Sequence, residues 1–110
     1  MPQEFDFPAL ISLPASGGTT THQLSNPSDQ KMIFKVRSTN NNDYRVNPAY
    51  GFVAASANTN IEITRLPGAP VPNDKLVVQF APAPPDAFNP QEAFSKVEPI
   101  GNVTINLVNY

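Results

Sequence analysis

Lys31-Met32-Ile33-Phe34-Lys35-Val36-Arg37 is the stretch on which the fold turns. Successive side chains of a strand point to opposite faces, so Met32, Phe34 and Val36 share one side and Lys31, Lys35 and Arg37 the other. The pattern predicts a strand with one face on a core and one in water. Outward from it the same alternation recurs. Asn60-Ile61-Glu62-Ile63-Thr64-Arg65-Leu66 interleaves isoleucines with polar residues, and Lys75-Leu76-Val77-Val78-Gln79-Phe80 buries Leu76, Val78 and Phe80 while leaving Lys75, Val77 and Gln79 outward. In Asn102 to Tyr110, Val103, Ile105 and Leu107 fall together. Weaker strand signals lie at Glu4 to Phe7, Thr20 to Ser25, Tyr44 to Val46 and Gly51 to Val53.

Between these runs sit turn-forming clusters: Ser16-Gly17-Gly18, Asn26-Pro27-Ser28-Asp29, Asn40-Asn41-Asn42-Asp43, Pro67-Gly68-Ala69-Pro70 and Pro82-Ala83-Pro84-Pro85-Asp86. About seven short strands separated by turns predict an all-β, immunoglobulin-like seven-stranded sandwich. Thirteen prolines against five glycines argue against long helices, because proline lacks the backbone donor that a helix interior needs. One helical turn is expected at Asn89-Pro90-Gln91-Glu92-Ala93-Phe94, with Asn89 as N-cap and Pro90 at the first helical position. A chain of 110 residues, 40% hydrophobic and 15% charged, can fill one sandwich core and no second, so residues 1–110 are read as a single domain.

Several functions are disfavoured by composition. A net charge of −2 offers no cationic surface to neutralise phosphates, so no nucleic acid partner is expected. The absence of cysteine removes disulfides, thiolate metal sites and thiol nucleophiles. His22 is the sole histidine and has neither a nucleophile nor an orienting carboxylate nearby in sequence, and the acidic residues are scattered singly. The chain is therefore expected to be no enzyme and to need no cofactor or metal. Asn102-Val103-Thr104 matches a glycosylation acceptor by chance, since the N-terminus lacks a basic cap and apolar run. No stretch approaches the roughly 20 apolar residues of a membrane helix, so a soluble cytoplasmic protein without membrane insertion is expected.

The order of separated motifs is more specific. Leu24-Ser25-Asn26-Pro27-Ser28-Asp29, Phe34-Lys35-Val36-Arg37-Ser38-Thr39, Tyr44-Arg45-Val46-Asn47-Pro48 and Gly51-Phe52-Val53 together resemble the core signature of the major sperm protein domain family. That family comprises nematode sperm cytoskeletal proteins, short sperm-specific relatives and the membrane-anchored VAP proteins. The length, the Asn-rich turn and Pro67-Gly68-Ala69-Pro70 are most similar to the short sperm-specific group. The resemblance implies a seven-stranded immunoglobulin-like sandwich, a cytoplasmic protein-binding or structural role in nematode sperm, and a tie to the sperm cytoskeleton. It also implies a cis peptide before Pro48, for which an ordinary turn proline is the alternative reading.

From the VAP branch the resemblance implies a site for short acidic peptides carrying two phenylalanines. Carried over by motif, its residues are Arg37, Ser38, Thr39, Lys75 and Val77. Two cations would attract the acidic tract, the hydroxyls would bond its backbone, and Val77 would form an apolar floor. Arginine at 37 and valine at 77 depart from the family's usual residues. Against this stands the plainer reading, in which Lys35, Arg37 and Lys75 are solvated charges on a wet sheet face. Partners are thus proteins or short acidic peptides, with weak self-association through exposed edge strands as a further route.

Overall fold

The computed structural model describes residues 7–69 and 74–110. Eight strands and one short helix follow in chain order: β1 (Leu10–Leu13), β2 (Gly18–Ser25), β3 (Met32–Ser38), β4 (Tyr44–Asn47), β5 (Tyr50–Val53), β6 (Asn58–Arg65), β7 (Asp74–Pro82), α1 (Pro90–Phe94) and β8 (Gly101–Asn109). They form a five-stranded sheet in the order β1-β8-β7-β3-β5 and a three-stranded sheet in the order β2-β6-β4. All pairings are antiparallel except β1 with β8. The result is an all-β, immunoglobulin-like sandwich. The expected strand at Glu4 to Phe7 falls largely outside the described residues, as does Pro70 of the expected turn. β1 is a strand that the alternation signals did not include.

The inward residues of both sheets meet in one core: Ile11 and Leu13 from β1, Leu24 from β2, Met32, Phe34 and Val36 from β3, Ile61 and Ile63 from β6, Leu76, Val78 and Phe80 from β7, and Ile105 and Leu107 from β8. A second, smaller cluster lies on the outer face of the five-stranded sheet, where Ala93 and Phe94 of α1 cover Ile33 and Ala81. Asn89 caps α1 as expected, its side-chain oxygen accepting the Glu92 N–H at 3.1 Å. The helix is thus a lid over half of an otherwise open face. Ile33 shares that face with lysines in the alternation pattern, yet it is fully buried because α1 sits on it.

Candidate functional site

β3 and β7 pair so that Arg37 lies opposite Val77, and Ser38 opposite Leu76. Beyond the formal end of β3 the ladder continues. Thr39 N donates to the Lys75 carbonyl at 3.0 Å, and the Lys75 N–H donates to Thr39 Oγ1 at 2.9 Å. Ser38 Oγ in turn accepts the Asn40 N–H at 3.0 Å. Both hydroxyls therefore hold the chain where β3 leaves the sheet, and their lone pairs are partly committed before any ligand arrives. The Asn-rich turn that follows is built around Asn40, whose Nδ2 donates to Asp43 Oδ2 at 2.8 Å and Asp74 Oδ2 at 3.0 Å. Its Oδ1 accepts the N–H groups of Asn42 and Asp43, at 3.2 and 3.1 Å. The hydrogen bond from Asn40, assisted by Arg65 at 3.3 Å, holds the Asp43 carboxyl below the ordinary carboxylate range. Burial pushes the Tyr44 phenol up, and the Arg65 guanidinium stacks 5.4 Å from its ring centre.

Arg37, Ser38, Thr39 and Val77 line one open concavity of about 270 Å³, which Gln79 completes. Four of the five residues implied by resemblance are thus brought together. Lys75 is exposed one position beyond, joined to Thr39 through the backbone, and its side chain is not among the lining groups. Gln79 could have been found from the alternation that put it outward beside Val77. On the outward positions of the five strands the charged side chains are Lys35, Arg37 and Lys75, with Lys31 immediately before β3 and no carboxylate. Lys31 sits 4.5 Å from the Phe52 ring centre and Lys35 5.4 Å from that of Tyr50. Arg37 and Lys75 have no ion pair or ring contact among the described residues. The peptide bond between Asn47 and Pro48 is cis.

Elsewhere the chemistry is structural. His22 lies on β2 with Nε2 3.2 Å from Thr20 Oγ1 and its ring edge-on to Phe7 at 6.0 Å. Among the described residues no three His, Asp or Glu side chains gather as metal ligands, and no helix is long and apolar enough to cross a membrane. Residues that the alternation could not mark as notable include Arg65, which is 1% exposed at the core's end, and Asn26. Asn26 is buried and bonds five ways: Nδ2 donates to the carbonyls of Gln30, Val53 and Ala54 at 2.8, 3.1 and 3.1 Å, while Oδ1 accepts from Ser28 N and Ser28 Oγ at 3.0 and 2.7 Å.

Residues 4–103 match the model of the MSP (Major sperm protein) domain. The chain is 52% identical to sperm-specific class P protein 16 and 51% identical to sperm-specific class P protein 10, both of Caenorhabditis elegans, in each case covering 89% of both chains. Among solved structures it is similar to SSP-19, an MSP-domain protein of the same nematode, with a TM-score of 0.88 and 46% identity over 92% of this chain and 94% of that one.

Proposed function

The chain belongs to the major sperm protein domain family, and from that premise we propose that it is a non-enzymatic interaction or structural adaptor module of nematode sperm, working in the cytoplasm beside the sperm cytoskeleton. Its partners are proteins. Relatives at about half identity that carry sperm-specific names support the sperm setting. The observation that carries an interaction role is the outer face of the five-stranded sheet. Its open half bears Arg37 and Lys75, no carboxylate, and a concavity floored by Val77.

The same observation favours a second reading, that of a receptor for acidic peptides with two phenylalanines. A cationic rim around an apolar floor suits an acidic chain with an aromatic anchor, and the open β3 end offers backbone groups beside it. Titration with such a peptide, at low and physiological salt, tests both readings. Saturable binding weakened about tenfold or more by Lys75→Glu or Arg37→Glu makes the chain a peptide receptor. No binding by the wild type sinks the receptor reading and leaves an adaptor role, which is checked by co-sedimentation with sperm cytoskeletal filaments. Failure to co-sediment would then sink the cytoskeletal tie as well.

A further inference from the structure

The segment between β7 and β8, which covers half of the outer face, has a charge character of its own. Residues 83–100 carry three carboxylates, Asp86, Glu92 and Glu98, against one lysine, Lys96. From this segment Phe88 projects with 91% of its surface exposed, the most exposed large apolar side chain among the described residues. It borders a shallow hollow of about 230 Å³, lined by the apolar Pro84, Ala87 and Ala93 and by the charged Asp86, Glu92 and Lys96. Sites for drug-sized molecules begin at roughly 300 Å³, so this one has room for a single side chain. It also stands on a stiff base. The Ala87 N–H donates to the Pro84 carbonyl at 3.2 Å, closing a turn around Asp86, and Asn89 is held by its capping bond from the Glu92 N–H at 3.1 Å. The backbone of Phe88 is fixed between these two, so little chain entropy is lost when its ring takes up a partner. Asp86 has no ion pair among the described residues. Glu92 meets Lys96 at 3.3 Å, but the two side chains are 66% and 70% exposed, so that pair is weak and yields to a competing cation.

We propose that this hollow docks an arginine side chain of a partner protein, its guanidinium stacked on the Phe88 ring and paired with Asp86, its stem against Pro84, Ala87 and Ala93. Charge complementarity selects the occupant. An acidic ligand would meet Asp86 and Glu92 as like charges, and a purely apolar one would cover them without a partner. Arginine answers every lining group at once. Its guanidinium is planar, always charged and weakly hydrated, so it both stacks on an aromatic face and pairs with a carboxylate, while its stem covers apolar surface. The proposal does not depend on what the concavity at Arg37 takes. With it, the outer face has a cationic open half and an anionic covered half, an arrangement suited to an adaptor that holds two partners of opposite charge.

Amide chemical shifts of the isotope-labelled full chain test this, with a blocked tripeptide of arginine between two leucines as the probe. The titration is taken past about 1 mM, the weak end of protein affinities. Saturable shifts are expected on residues 84–96, with an affinity that falls as salt rises. The same tripeptide with citrulline, which keeps the shape of arginine and loses the charge, should bind about tenfold more weakly. Asp86→Asn should cost about tenfold and Phe88→Ala about fivefold, and Phe88→Leu, which keeps apolar bulk without a ring face, should fall with the alanine variant. Both side chains are exposed, and unchanged amide shifts outside the segment show each variant folded. No shift on residues 84–96, or equal binding of the citrulline peptide, overturns the proposal. So would movement of the same residues with protein concentration alone, which would give the hollow to a second copy of the chain.

Discussion

At the scale of single residues, two small residues carry more than their size suggests. Asn26 is a hub whose amide ties the end of β2 to the segment before β3 and the end of β5, and Ser28 answers it from two residues on. Asn26→Ala would leave the buried Val53 carbonyl without its amide donor, together with the Ser28 N–H and hydroxyl that Oδ1 accepts. At about 1–3 kcal/mol for each unsatisfied group, a loss of roughly 3 kcal/mol in urea unfolding is expected, with Asn26→Asp also destabilising because a carboxylate has no N–H to donate. Gly51 is the second case. It faces Phe34 across the β3–β5 ladder, and a Cβ there would lie 2.7 Å from the Phe34 ring, which is fully buried and has nowhere to retreat. Gly51→Ala should therefore cost about 1–3 kcal/mol by overpacking, measured by the same unfolding, although alanine is normally the better strand residue. The sequence places both residues in motifs that resemblance picks out, but only the fold says that they serve packing and turn closure, because neither buried amides nor ring contacts have a periodicity to read. Asp43 adds a pH dependence. Its folded pKa is lowered, so its share of stability is present above the ordinary carboxylate pKa and lost as pH falls through the folded value. Asp43→Asn should flatten the acid limb of a stability-against-pH curve; an unchanged limb would show that the Asn40 contact holds no charge in place.

Elements show where alternation is a sufficient guide and where it is not. β3, β6, β7 and β8 are legible because each runs at least seven residues with alternation over most of its length, broken in β3 and β7 at Ile33 and Ala81, where the α1 segment covers the outer face. β1 has four residues between Pro8 and Pro14, too short for periodicity to rise above chance, and is a strand because β8 offers it a parallel partner. α1 was legible from its cap, but its consequence was not: a five-residue helix covers Ile33 and splits the outer face into a covered and an open half. The same limit applies to the candidate site. Outward parity puts Arg37, Val77 and Gln79 on one face, yet Ser38 and Thr39 join the concavity only because β3 leaves the sheet there, which parity does not foretell. Phe94→Ala would remove the ring that covers Ile33 and meets Tyr50 edge-on at 6.3 Å. A cost of about 3 kcal/mol is expected, at the low end for a buried phenylalanine because the site lies near the surface. Proton exchange of the β3 and β5 amides should rise while β6 is spared; uniform loosening would mean that the lid and the main core are not separable.

For the molecule as a whole, the decisive feature is that β3 belongs to both apolar clusters. Phe34 points into the core between the sheets, and Ile33, its neighbour, points into the cluster beneath α1. In the five-stranded sheet β8 is an inner strand, pairing with β7 on one side and with β1 on the other, so strands far apart in the chain hold one another in place. No strand of that sheet can leave without exposing a face that another needs, so unfolding should be a single cooperative step. The tyrosines give a direct check in a chain with no tryptophan, because Tyr44 sits at the core's end and Tyr50 beside the lid. Urea transitions followed by tyrosine emission and by far-ultraviolet circular dichroism should coincide. Separated midpoints would instead assign the α1 segment its own, weaker unfolding step, and the hollow beside Phe88 would then be presented by a part of the molecule that opens before the sandwich does.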